Sequence, residues 1–413
     1  MGNTVKIIPL QHLAYAGHDY ERPGDEGMAF ELDNINESVV SIKVIGIGGG
    51  GNNVVNRMME AGVTSADMVA VNTDRQALIK ARATHKLQIG EKQTSGKGAG
   101  SNPEIGRKSM EESRQDMAKI LTGTDMCFIS AGMGGGTGTG ASPIVADIAR
   151  EQHILTIGIV TKPFHFEGPH RMKQAEAGIE ELRSRVDSLI VIPNERLKLV
   201  SAEKISFATG FKIADDVLKQ AVQSISDLIN TTQLINLDFA DVSAIMRDAG
   251  YAHIGVGHAT GKGKSEEASR QAIQSPLLET TINGAKGVII NITGDSDLAL
   301  EDVEMAANMV KGAVHHDANI IFGAAIDEEM EDEIRVIVIA TGFDESVIRA
   351  DDGLFSSTVS KPAAKPITAT AASEEKEEET PASFPAAASA PEEKEEPAEE
   401  DPFESIFRIF NKK

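Results

Sequence analysis

The chain has 413 residues and a mass of 44.0 kDa, which is enough for two or three domains with substantial cores. Its formal net charge of −23 argues against a surface that binds nucleic-acid phosphates or anionic lipid, so we expect no nucleic-acid partner. The single cysteine, Cys127, excludes an intramolecular disulfide and is typical of a cytoplasmic protein. No apolar run approaches the ~20 residues that span a bilayer, and we expect no direct membrane insertion.

The first half of the chain is predicted to form a Rossmann-like α/β domain. Residues 1–40 are polar and aperiodic, and we expect a flexible N-terminal extension there. Beyond them, continuous apolar strands alternate with helical stretches, which indicates a parallel sheet covered on both faces at residues 41–208. The predicted strands lie within residues 41–48, 68–72, 126–130, 155–160 and 188–193.

A long central helix and a second, smaller α/β domain are predicted next. Between residues 211 and 230 the apolar positions have the three-and-four spacing of one buried stripe, which predicts a helix about 30 Å long. We place this central helix at 209–232. The second domain is placed at 233–344, with strands at 287–292, 319–323 and 334–341.

The C-terminal end has the composition of a chain that does not fold. Residues 361–404 contain 13 acidic residues and 4 lysines among many Ala and Pro. Such a segment cannot bury enough apolar surface, so we predict a disordered acidic linker at 345–400. Residues 401–413 become apolar and basic again, which is typical of a peptide that binds in a partner's groove.

A first glycine cluster, at residues 46–53, follows a predicted strand and precedes a predicted helix. Bare N–H groups at a helix N-terminus bind phosphate, and glycine lets the backbone approach it. Gly46, Gly48 and Gly51 also satisfy the G-x-G-x-x-G pattern of NAD-binding Rossmann proteins. Asp74, at the end of the second strand, would then bind the ribose. A tight turn without any ligand is the remaining alternative.

A second glycine cluster, at residues 131–140, also lies between a strand and a helix. Two such loops on neighbouring strands can hold one polyphosphate from two sides. Thr137 and Thr139 would offer hydroxyl groups to phosphate oxygens or to a metal ion. A third loop, at residues 96–100, would complete this cradle. The cluster is too rich in glycine for packing alone, because each glycine loses much backbone entropy when it is ordered.

The second cluster contains Gly-Gly-Gly-Thr-Gly-Thr-Gly at residues 134–140, which resembles the signature of the tubulin/FtsZ superfamily. Further segments follow in the order and spacing of FtsZ, and the match covers residues 41–344. It is closer to FtsZ than to eukaryotic tubulin. The matching segments are Val-Asn-Thr-Asp at 71–74, Thr-Lys-Pro-Phe at 161–164, Phe-Glu-Gly at 166–168, Ile-Pro-Asn at 192–194 and Asn-Leu-Asp-Phe-Ala-Asp at 236–241.

The resemblance implies a GTPase of bacterial cell division. Such a protein binds GTP or GDP with Mg²⁺, hydrolyses GTP and polymerises head to tail into a cytokinetic ring. It would lie in the cytoplasm, at mid-cell on the inner face of the cell membrane. Membrane-tethering and regulatory proteins would bind residues 401–413.

Two sets of site residues follow from the resemblance. The catalytic set is Asn236, Asp238 and Asp241, which would act on the nucleotide of the next subunit. The nucleotide-binding set is Gly49, Gly50, Gly51, Asn52, Asn53, Ala99, Gly100, Gly132, Gly135, Gly136, Thr137, Gly138, Glu167, Arg171, Asn194, Phe211 and Asp215.

Within the nucleotide set, the roles differ along the ligand. The glycine loops would hold the phosphates, and Ala99 and Gly100 would lie near the γ-phosphate. Glu167 and Arg171 would hold the ribose. Phe211 would stack on guanine, whose edge would be read by Asn53, Asn194 and Asp215. No metal ligand is assigned.

Single residues of these sets also have ordinary structural explanations. Glu167 and Arg171 would each be solvated charges, and Phe211 would be a core aromatic. Asp215 would be an exposed acid in the first turn of a helix, and Asp241 a helix N-cap.

Two alternative functions remain at this point. The first is an NAD-dependent Rossmann enzyme, and the second is a nucleotide-dependent scaffold with vestigial hydrolysis. Three features depart from the family pattern: Gln233 replaces a usual glycine, the terminal peptide lacks the usual proline, and the N-terminal extension is long.

Overall fold

The computed structural model describes residues 40–199, 206–230, 234–235, 237–275, 281–328 and 330–343, together with the strands β1 (Ile7–Pro9) and β2 (Met28–Phe30). Every described residue lies in the compact unit Met1–Thr358. The predicted linker at 345–400 and the predicted peptide at 401–413 lie outside the described residues.

The N-terminal extension contains a short antiparallel pair that the sequence did not predict. Strand β1 pairs with β2, and Ile8 lies opposite Ala29. Three residues are too few for an alternating pattern to be recognised, which is why we expected only a flexible segment there.

The predicted Rossmann-like domain contains six parallel strands. They are β3 (Ile42–Ile47), β4 (Asp67–Asn72), β5 (His85–Gln88), β6 (Met126–Gly132), β7 (Leu155–Lys162) and β8 (Ser188–Pro193). Their order in the sheet is β5-β4-β3-β6-β7-β8, and all neighbours pair in parallel. The predicted strands are all present. Strand β5 was not predicted, because its sequence, His-Lys-Leu-Gln, is mostly polar.

Seven helices accompany these strands in the described residues, and an eighth is the central helix. They are α1 (Gly48–Glu60), α2 (Arg75–Lys80), α3 (Glu91–Thr94), α4 (Pro103–Glu112), α5 (Arg114–Leu121), α6 (Thr137–Glu151), α7 (Pro169–Arg183) and the central α8 (Phe207–Asn230). Helix α8 begins two residues before the predicted 209, and residues 231–233 lie outside the described residues.

The second domain continues the same sheet. Its elements are α9 (Phe239–Met246), β9 (Gly250–Thr260), α10 (Lys264–Ile273), β10 (Gly287–Gly294), α11 (Leu300–Ala313), β11 (Asn319–Ile326) and β12 (Glu333–Thr341). Strand β9 pairs in parallel with β8 over three residue pairs, and β12, β10 and β11 follow outward. The two predicted domains therefore share one ten-stranded sheet.

Helix α8 runs from the carboxyl ends of the parallel strands to their amino ends. Its predicted apolar stripe is buried, from Ala214 at one end to Leu228 at the other. At its last residue, the Asn230 side-chain amide donates to the backbone oxygens of Val40 at 3.0 Å and Ser65 at 2.8 Å, just before β3 and β4 begin. The 24 residues of α8 span about 36 Å at 1.5 Å per residue, so the chain leaves the helix at the amino ends of the strands.

Three apolar cores cover the sheet. One lies under α1, α8 and α9, a second lies under α5, α6 and α7 on the opposite face, and a third lies under α10 and α11. Among the described residues, no helix is both long enough and apolar enough to cross a bilayer.

Strand β9 was not predicted, because two glycines interrupt its apolar pattern. Both glycines are required where the strand packs on α10. A Cβ atom on Gly257 would lie 1.9 Å from the backbone oxygen of Ala268, and one on Gly255 would lie 2.0 Å from that of Ala272. The strand is therefore pressed directly against the helix backbone.

We expect Gly257→Ala to lower the free energy of unfolding by about 1–3 kcal/mol, because the added methyl overpacks the contact with α10. Gly312→Ala is the matched control. Gly312 is exposed on α11 and a Cβ there meets nothing within 4 Å, so the substitution should stabilise by about 0.4–1 kcal/mol. Urea unfolding of both variants measures the difference. Equal stability of the two would contradict the close packing of β9.

Candidate functional site

The first two glycine loops meet because their strands are neighbours. Strand β3 pairs with β6 so that Ile47 lies opposite Ala131, and both strands end at the same edge of the sheet. Helix α1 begins directly at Gly48 and helix α6 at Thr137, and neither N-terminus has a side-chain cap. Two sets of unpaired N–H groups therefore line one cleft, as an anion-binding site requires.

Glycine is required in the first loop by backbone contact. A Cβ on Gly51 would lie 2.2 Å from the backbone oxygen of Ser130, and one on Gly46 would lie 2.3 Å from that of Gly51. By contrast, a Cβ on Gly49 would meet nothing within 4 Å, so its surface faces the open cleft. Gly46 and Gly51 thus bring α1 close to the sheet, while Gly49 leaves room for a ligand.

The cleft brings together thirteen of the seventeen predicted nucleotide residues and has a volume of about 290 Å³. The thirteen are Gly49, Gly50, Asn53, Gly132, Gly135, Gly136, Thr137, Gly138, Glu167, Arg171, Asn194, Phe211 and Asp215. Sequence analysis missed five more lining residues, which are Ile47, Met133, Thr161, Pro163 and Ala214. Four of them lie inside recognised segments, Ile47 and Met133 in the two glycine clusters and Thr161 and Pro163 in Thr-Lys-Pro-Phe, and this position was the signal that could have found them.

Asn52 and Gly51 do not line the cleft. The Asn52 side chain is buried, and its Nδ2 donates to the backbone oxygen of Gly46 at 2.8 Å. Its Oδ1 accepts from Asn72 Nδ2 at 2.7 Å, so Asn52 ties the first loop to the end of β4. Both polar atoms of the Asn52 side chain are thus used inside the protein, so the predicted nucleotide contact of Asn52 stays a prediction for its backbone N–H.

Ala99 lies behind the second loop, and neither it nor the exposed Gly100 lines the cleft. Ala99 is buried, and a Cβ on Gly136 would lie 2.8 Å from the Ala99 methyl group. Gly98 N donates to Thr73 O at 3.3 Å, which joins this third loop to the end of β4. The third loop supports the cradle, and it does not form a wall of the cleft.

The two threonine hydroxyls make internal hydrogen bonds. Thr139 Oγ1 accepts from Gly134 N at 2.8 Å, so Thr139 shapes the second loop instead of facing a ligand as predicted. Thr137 lines the cleft, and its hydroxyl lies 2.7 Å from that of Thr73.

One end of the cleft is aromatic and polar. The Phe211 ring meets Phe164 edge to face, with centroids 5.3 Å apart, and so is fixed at the wall. Asn194 is buried, and its Oδ1 has no hydrogen-bond partner among the described residues. A buried carbonyl oxygen without a partner is costly, which indicates that a ligand donor completes it.

Asp215 at the same end is paired with a residue that the sequence did not predict. Arg57 Nε on α1 lies 3.1 Å from Asp215 Oδ2, and its guanidinium also approaches Asp216 at 3.9 Å. Burial raises the pKa of Asp215, and the charge and hydrogen bond of Arg57 oppose that shift. Asp215 is therefore a largely buried, ion-paired carboxyl group, and the alternative of an exposed first-turn acid is wrong.

Glu167 and Arg171 form a pair beside the cleft. Arg171 Nε lies 3.1 Å from Glu167 Oε2, while Glu167 Oε1 accepts from Phe164 N at 2.9 Å. The Glu167 side chain is only 11% exposed, so the solvated-charge alternative is wrong for it. Among the described lining residues, Glu167 and Asp215 are the carboxyl groups, and both are already paired with arginine.

The predicted catalytic acids lie away from this cleft. Asp238 is the N-cap residue of α9, Asp241 lies in its first turn, and both are exposed. The alternative that Asp241 is the N-cap is therefore wrong. Asn236, the third predicted residue, lies outside the described residues.

The sheet fixes how far these acids are from the phosphate loops. Ile235 N donates to Ala324 O of β11 at 3.1 Å, and Asp238 is three residues further along the chain. Strand β11 is six steps from β6 in the sheet order, which is about 29 Å at ~4.8 Å per step. Three residues reach about 10 Å at most, so Asp238 cannot enter the phosphate end of its own cleft.

Comparisons with known proteins agree with this geometry. Residues 41–202 match the model of the tubulin/FtsZ family GTPase domain, and residues 250–344 match that of the FtsZ family C-terminal domain. An FtsZ dimer from M. jannaschii is 42% identical with a TM-score of 0.72, over 75% of this chain and 90% of that one. The chain belongs to the tubulin/FtsZ family.

More distant relatives share the fold alone. CetZ2 from Haloferax volcanii, solved as a GTPγS-bound protofilament, is 19% identical with a TM-score of 0.64 over 76% of this chain and 97% of that one. CetZ1 from the same organism, solved as a GDP-bound monomer, is also 19% identical, with a TM-score of 0.63 over 78% of this chain and all of that one.

Membership of this GTPase family implies that the chain binds GTP or GDP, and the NAD alternative is wrong. Asp74, which would bind the ribose of NAD, is already used inside the protein. Its Oδ1 accepts from Gln76 N at 2.8 Å and from Ala77 N at 3.3 Å, so Asp74 caps α2 instead of facing a ribose.

Adjacent asparagines allow the structural and ligand-facing roles to be separated. We expect Asn52→Ala to lower the free energy of unfolding without nucleotide by about 1–3 kcal/mol, because Gly46 O and Asn72 lose a buried partner. Asn53→Ala should change that free energy by less than about 0.5 kcal/mol, because Asn53 is exposed. Urea unfolding measures both, and a larger effect at Asn53 would contradict the assignment.

Proposed function

We propose that this chain binds and hydrolyses GTP and polymerises head to tail into filaments that form the cytokinetic ring of a prokaryotic cell. The observation that carries the proposal is the separation of the phosphate loops from Asp238 and Asp241, since the chain that leads to these acids pairs with β11, six strand spacings from β6. An FtsZ relative solved as a dimer supports self-association. That relative is archaeal, so the proposal is not restricted to bacteria.

Each part of the nucleotide has proposed partners in the cleft. The phosphates lie on the backbone N–H groups of the loops around Gly49 and Gly136, at the N-termini of α1 and α6. The ribose lies against Glu167 and Arg171. Guanine stacks on Phe211, whose position at the wall is fixed by Phe164.

The guanine edge is read by Asn194 and Asp215. A carboxylate accepts hydrogen bonds from guanine N1–H and from the 2-amino group, and adenine offers no such pair. Asn194 Oδ1 lacks a partner among the described residues and accepts from the base or from a bound water. A site with buried polar groups rejects a base that leaves them unpaired.

Hydrolysis is divided between two subunits. The carboxyl groups within the cleft are paired with arginines, so they do not serve as the base that orients water at the γ-phosphate. Asp238 and Asp241 are exposed at the N-terminus of α9, and with Asn236 they orient that water on the neighbour's nucleotide. A contact between two different surfaces that does not close produces an open filament.

Mg²⁺ is proposed to accompany the nucleotide. When bound, it neutralises charge on the β- and γ-phosphates. Thr137 brings a hydroxyl to the phosphate end of the cleft, and the neighbour's Asp238 and Asp241 bring carboxylates, which are oxygen ligands of the type that Mg²⁺ prefers.

We also propose a cytoplasmic location at the mid-cell ring, with tethering and regulatory proteins bound at residues 401–413. The linker at 345–400 provides reach for that peptide, not contacts. Sequence composition supports both proposals.

Right-angle light scattering with phosphate release tests the function against the scaffold alternative. The full chain should scatter light and release phosphate with GTP, and do neither with GDP or NADH. Scattering without phosphate release would favour the vestigial scaffold. Phosphate release that stays proportional to protein concentration at high dilution would show that one chain holds a complete active site.

We expect Asp238→Ala to bind GTP normally and to hydrolyse it at least about 100-fold more slowly, because the water loses its orienting group. Mixing this variant with one whose phosphate loop is damaged should restore part of the turnover, since one type of contact then has both intact halves. Glu304→Ala, an exposed acid on α11, is the control and should hydrolyse normally. Failure of the mixture to recover any turnover would contradict shared catalysis.

Base recognition is tested at Asp215 and its partner Arg57. Asp215→Ala should weaken GTP binding by about 1–3 kcal/mol. Arg57 opposes the raised pKa of Asp215, so Arg57→Ala raises that pKa further, and GTP affinity should fall at a higher pH on acidification than in the unmodified chain.

Arg82→Ala is the matched control for Arg57, because Arg82 forms an exposed ion pair with Glu60 at 3.1 Å outside the cleft. Arg82→Ala should leave the pH profile of GTP binding unchanged. Arg57→Lys should shift that profile less than Arg57→Ala does. Equal affinity of the unmodified chain for ATP and GTP would contradict the proposed guanine contacts.

A further inference from the structure

The short turn between α11 and β11 brings three metal-ligating side chains together. His315, His316 and Asp317 each offer one ligand atom, and these atoms lie within 4.8 Å of one another. No second cluster of three or more histidine, cysteine or acidic side chains with this spacing occurs in the described part of the chain. The turn has no part in the nucleotide site described above.

Both imidazole rings direct a nitrogen toward Asp317. His315 Nδ1 accepts a hydrogen bond from Asp317 N at 3.2 Å, so its lone pair faces that residue. His316 Nε2 lies 2.9 Å from Asp317 Oδ2. The ring centroids are 4.3 Å apart, with the rings tilted by 39°. Two nitrogen atoms and one carboxylate therefore lie close together. A bound ion takes the place of the hydrogen bond from Asp317 N to His315 Nδ1 and of the proton between His316 Nε2 and Asp317 Oδ2.

The backbone of the turn is anchored to its surroundings. His315 N donates to Ala285 O at 3.3 Å. Within the turn itself, Ala318 N donates to His315 O at 3.0 Å. Asn319 N donates to Lys286 O at 2.8 Å, which aligns the start of β11 with β10. The turn also follows the C-terminus of α11, where the helix dipole favours a cation.

The donors are open to solvent. The His316 and Asp317 side chains are 79% and 76% exposed, and His315 is half-buried. An ion therefore reaches them without any opening of the fold. Donors around tetrahedral zinc lie about 3.4 Å apart, so the ligand atoms, which lie within 4.8 Å of one another, need to close by at most about 1.4 Å through side-chain rotation.

We propose that His315, His316 and Asp317 bind one divalent transition-metal ion of the Zn²⁺ class, with water in the remaining coordination positions. Two imidazoles and one carboxylate suit Zn²⁺, Ni²⁺ and Cu²⁺. Mg²⁺ and Ca²⁺ prefer sites made of oxygen ligands alone. The site lies beside β11, six strands from the phosphate loop of β6, so it is distinct from any Mg²⁺ held with a nucleotide.

Zn²⁺ titration of the full chain tests the site. The chain is kept free of nucleotide, excess Mg²⁺ occupies carboxylate sites, and binding is followed by calorimetry. We expect one Zn²⁺ per chain in the unmodified protein. His316→Ala and Asp317→Asn should each weaken that binding at least about 10-fold, and His315→Ala with His316→Ala should abolish it.

His85→Ala is the matched control, because His85 is an exposed histidine on β5 at the opposite edge of the sheet. It should bind Zn²⁺ as the unmodified chain does. Thermal unfolding without metal confirms that the variants are folded. Unchanged Zn²⁺ binding in the double variant would overturn the proposal, as would an equal loss in His85→Ala or displacement of the ion by Mg²⁺.

Discussion

The parallel pairing of β3 with β6 is the constraint on which the nucleotide site depends. It places two glycine loops at one edge of the sheet and directs the N-termini of α1 and α6 into one cleft. Close backbone contact at Gly51 then holds α1 against the sheet. The polar chain through Asn52 and Asn72 fixes the first loop to β4, so the anion site is rigid before any ligand binds.

Helix α8 separates the cleft from the acids that are proposed to act on a neighbour's nucleotide. Its N-terminal turns provide Phe211 and Asp215 to the cleft, and its last residue, Asn230, is tied to the opposite edge of the sheet. The chain that follows then pairs with β11, at the far end of the ten strands. One buried helix therefore separates nucleotide binding from the proposed catalytic acids, and the rigidity of the sheet keeps them apart.

Much of this could be predicted from residue patterns, because local physical rules decide it. Glycine-rich turns between strand and helix predicted the phosphate loops, and the stripe from Ala214 to Leu228 predicted α8. The predictions failed where a tertiary contact overrides the local pattern. Strand β9 contains glycines that only its contact with α10 requires, and Asn52 resembles a ligand residue until its buried partners are known.

The sequence by itself determined the family, the α/β class and thirteen of the residues that line the cleft, because periodicity, turn chemistry and motif spacing are properties of the chain. Tertiary structure alone decided what each residue does with its partners. It paired Asp215 with Arg57 and joined the two predicted domains into one sheet. These outcomes depend on residues that lie far apart along the chain, 158 residues in the case of Arg57 and Asp215, and no local pattern encodes such contacts.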